Sequence, residues 1–359
     1  MGGKESMVEK TTNPDVEKKI NSLWLLDIFR GISALLIVLY HYTTQYDKSI
    51  GHLGDYKLSF PWGCYAVYAF FMLSGFLIVY TYKDKFNIVS FLKKRFLRLY
   101  PMFWVCMTVT AIYMALIFPE RIPTVKQFLF NITMFPALFG STAIDGVYWT
   151  MPKEIIFYII FAIVAVVFLG GAQGKKKAKW LWLCLGIELV CIAYCFGPFN
   201  LPAQWILTFL MIPDYLYVFL AGCAVYYLNY SENIQQKRVM VVYLIICAIV
   251  CKCLCANSTF FFFMLLLVVL IICSREHINR KTENKKWLLR PFIFLSEISY
   301  VLYLTHQYIG FGIIRKMELC GMTAESWMLL PIAHAILLAT ILHYCVEVKM
   351  NQMFKKHMF

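Results

Sequence analysis

The chain has 359 residues, of which 61% are hydrophobic and 15% charged, where a soluble domain carries roughly a quarter. A soluble fold of this length could not hide so much apolar surface, so the composition is that of a polytopic membrane protein. The net charge of +14 does not argue for a nucleic-acid partner, because positive loops are also what orient a membrane protein.

Residues 1–22 are polar and mixed in charge, without the apolar core or cleavage site of a signal peptide, and are expected to form a disordered cytoplasmic tail. They open on "MGGKES", which fits the myristoylation pattern through Gly2 and Ser6, a pattern short enough to arise by chance. A spanning helix needs about 20 mainly apolar residues. Reading apolar runs and their charged breaks predicts ten spans, near 24–43, 63–82, 99–118, 149–170, 179–196, 203–228, 239–255, 258–273, 291–314 and 327–347. The segment 127–140, "QFLFNITMFPALFG", is apolar but too short to cross, which predicts a re-entrant or interfacial element. The expected organisation is therefore an all-α transmembrane domain over 23–347 and a short cytoplasmic tail over 348–359. The 13 cysteines fall mostly in apolar runs and read as small core residues. "CKCLC" (Cys251, Cys253, Cys255) lacks zinc spacing and a nearby histidine, so no metal is expected.

Charge tests the span count. Ten spans put both termini on one side, and the segments on that side hold 25 Lys and Arg against 7 on the other. The positive-inside rule then makes both termini cytoplasmic.

Polar residues inside the spans are the next signal, because each is costly in hydrocarbon. Arg30 and His41 are eleven steps apart in the first span, about 1100° of rotation, so they share a helix face about 16 Å apart along the axis. Asp27, three residues before Arg30, can pair with it. The plain alternatives are a snorkelling arginine and a histidine in the headgroup zone. Glu154 lies about five residues into the fourth span, at a depth comparable with His41, where a Glu–His pair would fix the imidazole tautomer. The competing reading pairs it with Lys153 at the interface. Ser299, Tyr303 and His306 form a polar stripe on the ninth span, which suits either a lined cavity or interhelical hydrogen bonds. On the cytoplasmic side "SFLKKRFLRLYP" carries Lys93, Lys94, Arg95 and Arg98. That patch can hold several phosphate groups or be ordinary positive-inside charge. A basic cytoplasmic mouth with a His/Glu/His set near the outer side suggests a donor with phosphates and a long thin arm, the shape of an acyl-coenzyme A.

These residues bring a resemblance into view. "LDIFRGISALLIVLYHY" resembles the first helix of the membrane acyltransferase 3 family, with its Arg-x10-His pattern on Arg30 and His41. "YAFFMLSGFLI" resembles its Phe-Phe-x-x-Ser-Gly motif through Phe70, Phe71, Ser74 and Gly75, and "KRFLRLYP" its Arg-x-x-Arg on Arg95 and Arg98. "WTMPKEIIFY" is similar to the segment carrying a glutamate before Phe-Tyr, here Glu154, and "ISYVLYLTH" to the late helix ending in His306. Pro152–Lys153 departs from the small or apolar residues expected before the glutamate. No C-terminal hydrolase-like domain is seen, so the chain reads as a stand-alone membrane module.

The resemblance implies transfer of an acyl group, most often acetyl, from cytoplasmic acetyl-CoA or another acyl-CoA to a hydroxyl of an extracytoplasmic or lipid-linked glycan at the cell membrane. His41 would be the general base or an acylated nucleophile, with Glu154 as its partner. Arg30, Asp27, Ser74, Gly75, Arg95 and Arg98 would serve the donor; Tyr303, His306 and Trp149 would line the acceptor side. The rival readings are a transporter of an acylated or anionic small molecule, which internal repeats would favour and which no repeat here supports, and a sensor or scaffold in which His41 is dispensable.

Overall fold

The computed structural model describes residues 23–54, 56–82, 86–168, 179–196, 212 and 214–358. The expected N-terminal tail with Gly2, and the first part of the expected span 203–228, lie outside them. Every regular element among the described residues is helical. The principal helices are α1 (Trp24–Tyr40), α2 (Ala66–Tyr82), α3 (Ile88–Ile117), α4 (Thr150–Phe168), α5 (Lys179–Phe196), α6 (Leu216–Tyr230), α7 (Ile234–Leu254), α8 (Asn257–Cys273), α9 (Arg290–Leu319) and α10 (Leu329–Leu342). Each predicted span overlaps one of them. Among the described residues, six helical stretches are long and apolar enough to cross a bilayer: Trp24–Ser49, Pro61–Tyr82, Ile88–Ile117, Gly146–Val166, Glu276–Leu319 and Glu325–Phe354. Two more apolar helices, α6 and α8, are shorter.

α9 is the centre of one half of the bundle, packed on α1, α3 and α10, while α6 packs on α2 and α7. Glycine makes both tight contacts possible. A Cβ on Gly31 of α1 would overlap Phe292 O of α9. Gly75 of α2 and Gly222 of α6 are reciprocal: a Cβ on the first would meet Phe219 O, and on the second Met72 O. Small residues let helix backbones approach where apolar lipid gives no hydrophobic drive for association.

The predicted re-entrant segment is a short helix, Val125–Asn131, followed by a 3₁₀ turn, Pro136–Phe139. Met134 between them has φ 62°, a left-handed turn that folds the segment back. Thr124 caps the short helix by accepting from Gln127 N at 3.1 Å. Among the described residues two π-helical stretches interrupt the bundle, His41–Gln45 after α1 and His343–Glu347 after α10. Such insertions turn side chains out of the α-helical register and recur at functional sites.

Candidate active site

A cavity of about 180 Å³ opens between α1, α2, α3, α4 and α9, and Arg30, Arg95 and Arg98 all line it. The local sequence explains how the arginines arrive there. Asn87 accepts from Ser90 N at 2.9 Å and starts α3, whose opening turns carry "KKRFLR". The Arg95 guanidinium lies 4.8 Å from the Tyr158 ring centroid, 5.4 Å from Phe91 and 5.6 Å from Tyr82. Those rings fix its direction through cation–π attraction while its Nε stays buried without a hydrogen bond. Among the described residues no ion pair involves any of the three arginines. The carboxylates that share the cavity are engaged elsewhere. Glu154 accepts from Ser74 Oγ at 3.2 Å and from Tyr158 Oη. Glu297 accepts from Tyr344 Oη at 3.1 Å, and Glu347 is bound to His343 Nδ1 at 2.7 Å. Three guanidiniums with free donors on one cavity wall are what a multiply charged anion needs.

Phe70, Thr150 and Tyr303 also line the cavity. Tyr303 Oη is bonded to Thr150 Oγ1 at 2.8 Å and to Val147 O at 3.0 Å, and its ring meets that of His306 with centroids 5.9 Å apart. His306 is buried, and its Nε2 lies 3.1 Å from His41 Nδ1. The hydrogen-bond partners assign both tautomers. His306 Nδ1 is 3.0 Å from Leu302 O and 2.9 Å from Tyr303 O, and a carbonyl oxygen only accepts, so Nδ1 carries the hydrogen and Nε2 a lone pair. His41 Nδ1 is 2.9 Å from Ile37 O, so it too carries a hydrogen, shared between that carbonyl and His306 Nε2. His41 Nε2 is then a free lone pair on a partly exposed ring, the form a general base requires.

The backbone around His306 is braced from outside α9. Tyr42 Oη donates to His306 O at 2.8 Å. At the two ends of one helical rung, Leu304 O accepts from Tyr148 Oη at 3.2 Å and Tyr308 N donates to Asp145 Oδ2 at 3.0 Å. Asp145 also accepts from Val147 N at 3.1 Å. Its carboxyl is in the loop before α4, and complete burial pushes its pKa up to about 7 against the pull of the two N–H groups.

The family model described as "Acyltransferase domain" matches residues 23–345, which takes in every residue of this site up to α10. The chain belongs to the acyltransferase 3 family. It is similar to "Acyltransferase MdmB" of Streptomyces mycarofaciens, 22% identical over 152 residues, 40% of this chain and 38% of that protein. It is also similar to "Nodulation protein 10" of Rhizobium leguminosarum bv. viciae, 26% identical over 133 residues, 30% of this chain and 36% of that protein. In both cases the match spans little more than a third of the relative's length. No solved structure matches the chain.

The expected site residues divide between two levels. Arg30, Ser74, Arg95, Arg98, Glu154 and Tyr303 line the first cavity. His41 and His306 form the pair beyond Tyr303. Glu154 does not pair with His41. Counting depth from residue 149 put the two level, but Thr150 is bonded to Tyr303, which fixes the register between α4 and α9. α4 runs opposite to α9, so Glu154 is a turn further from His306, about 10 Å below it along the bundle. The imidazole's partner is another imidazole. Gly75 faces Phe219 of α6 and not the cavity. Asp27 and Arg30 make no ion pair, and Asp27 is not on the cavity wall. Trp149 belongs to a second cavity, with Lys153. Tyr42, Asp145, Tyr148, Glu297 and Glu347 were not anticipated. Asp145 could have been, as an acid directly before a glycine in an apolar loop.

Proposed function

We propose that the protein is a membrane O-acyltransferase that moves an acyl group, acetyl in the simplest case, from a cytoplasmic acyl-CoA to a hydroxyl of an extracytoplasmic or lipid-linked glycan at the cytoplasmic membrane. The observation that carries this reading is the free Nε2 lone pair of His41, oriented by His306, one side chain beyond a cavity lined by three unpaired arginines. A cavity of about 180 Å³ is smaller than the roughly 300 Å³ lower end of ordinary ligand sites. It suits the narrow arm of a donor whose phosphates stay at the arginines.

In the reaction, His41 Nε2 takes the proton of the acceptor hydroxyl as its oxygen attacks the thioester carbonyl. The new C–O bond forms, the C–S bond breaks, and the imidazolium returns the proton to the leaving thiolate. His306 Nε2 holds the His41 Nδ1 hydrogen throughout, so His41 Nε2, the base, stays unprotonated between turnovers. Glu154 acts on the donor side, keeping Ser74 and Tyr158 in place beside Arg95. Tyr303 lies where the acyl arm must pass to reach the histidines.

The test is transfer of label from radiolabelled acetyl-CoA to surface glycans in membranes. His41→Ala is expected to abolish transfer while the protein remains in the membrane. Normal transfer by that variant would overturn the mechanism, and no transfer by the unaltered protein with any acyl-CoA would favour a carrier without chemistry.

A further inference from the structure

A second cavity, of about 430 Å³, lies on the opposite side of α4 from the first, under the fold-back segment. Its wall is mainly apolar, with Phe135, Trp149 and Ile156, three hydroxyl residues, Ser141, Thr142 and Tyr148, and one charge, Lys153. The ammonium is placed by aromatic rings. Nζ is 4.7 Å from the Tyr215 ring centroid and 5.8 Å from that of Trp149. No carboxylate among the described residues comes within 4.0 Å of it, and Asp214 acts on it only from further away. Lys153 departs from the resemblance described above, and the reaction as derived makes no use of it. A half-buried cation in an apolar cavity is costly unless something anionic meets it.

What meets it is indicated by the helix below. Pro152 and Ile156 line the cavity, and Ile159, Ile163 and Val166 continue the same face of α4 at intervals of three and four residues. All three are exposed, at 45%, 60% and 50%, so they form an apolar track that runs from the cavity along the lipid-facing side. In the fold-back segment, Leu138 and Phe139, which directly follow Ala137 of the cavity wall, are exposed at 45% and 49%. A charge at the top of an apolar track matches an amphiphile with an anionic head, not a free sugar. Trp149 is shared, since its ring also meets Phe71, which lines the first cavity, with centroids 6.5 Å apart.

We propose that this cavity binds a lipid-linked acceptor, with the phosphate of a polyprenyl carrier on Lys153 and the polyprenyl chain along Ile159, Ile163 and Val166. The glycan head would then project toward the His41 level past Trp149. This assignment rests on the acyltransferase reading and narrows its acceptor to a phosphate-bearing lipid.

The experiment uses the full chain in nanodiscs and measures binding of decaprenyl monophosphate, decaprenol, inorganic phosphate and glucuronate. Decaprenyl monophosphate is expected to bind best. Lys153→Gln should weaken it at least tenfold, Lys153→Arg should largely restore it, and Ile163→Asp should weaken the two prenyl probes but not phosphate. Equal binding of decaprenol and its phosphate, or no effect of Lys153→Gln, would overturn the proposal. Lys153-dependent binding of glucuronate without the prenyl phosphate would overturn it in favour of a free acidic sugar. The two readings fail separately. His41→Ala must leave prenyl-phosphate binding intact, so loss of transfer with retained binding bears on the chemistry alone. Transfer to soluble glycans with no prenyl-phosphate binding would leave the chemistry standing and remove the lipid-linked acceptor.

Discussion

At the residue scale the chemistry rests on which nitrogen carries which hydrogen. His306 acts through His41, so its loss should be felt in turnover and not in donor binding. His306→Ala is expected to lower kcat on the order of 10²-fold with donor KM nearly unchanged, because the base keeps its lone pair but loses its orientation. His306→Gln, which can still place an acceptor near His41 Nδ1, should recover part of that loss, a partial rescue that a purely structural role would not give. Arg95 makes the complementary prediction. Its planar group is clasped by Tyr158, Phe91 and Tyr82, and a lysine cannot reproduce either the stacking or the fork. Arg95→Lys should raise donor KM by roughly tenfold or more, since a charge-assisted hydrogen bond contributes about 1.5–3 kcal/mol, with a smaller effect on kcat. Steady-state kinetics with varied acyl-CoA separates the two. Sequence alone exposed Arg30, His41, Glu154 and His306 as expensive residues in a membrane, and Arg95 and Arg98 as part of a basic cytoplasmic patch. It could not say that His41 meets His306, because a pairing between helices depends on their relative register, which no periodicity within one helix contains.

At the element scale the register is set by glycines and by the loop before α4. Replacing Gly31 with leucine would drive a side chain into the Phe292 backbone of α9. Overpacking of this kind costs about 1–3 kcal/mol or more, so Gly31→Leu should lower the melting temperature in detergent and displace His41 relative to His306. Asp145 ties the loop to α9, and its carboxyl titrates from about 7 in the folded protein against the ordinary value of 3.8. The folded state therefore holds a proton that the unfolded chain has released between those values, so stability falls as pH rises through that window. Asp145→Asn removes the titrating group, and its thermal stability should vary less than that of the unaltered protein between about pH 5 and pH 7. An equally steep profile in the variant would assign the dependence to other groups. The α-helices were largely legible from apolar runs. The two π-helical stretches were not, since "HYTTQ" and "HYCVE" carry no signal that separates them from a continuing α-helix, yet they carry His41, His343 and Glu347.

At the scale of the whole molecule, the proposed reaction needs its two substrates on opposite sides, and that places a firm demand on orientation. Donor phosphates must reach Arg95 and Arg98 from the cytoplasm, while His52, Tyr56 and Glu325 must face away from it. That second end is tied together by His52 Nδ1 on Glu318 at 2.6 Å and by Glu325, which accepts from Lys57 N at 2.6 Å and Leu58 N at 2.8 Å. The demand agrees with a charge asymmetry of 25 against 7, but charge bias is a rule about insertion and not about this chain's outcome. Single cysteines give the outcome directly. In a chain whose exposed Cys253, Cys320 and Cys345 are replaced by serine, a membrane-impermeant maleimide should label Lys57→Cys in intact cells. Lys93→Cys and Lys281→Cys should be labelled only after the membrane is opened. Cytoplasmic acyl-CoA added to sealed vesicles of inverted orientation should then shield Lys93→Cys from label, because the donor's phosphates occupy the same mouth. Labelling of Lys93→Cys in intact cells would put the arginine cavity on the side where coenzyme A is absent, and the donor, not merely the topology, would have to be reassigned.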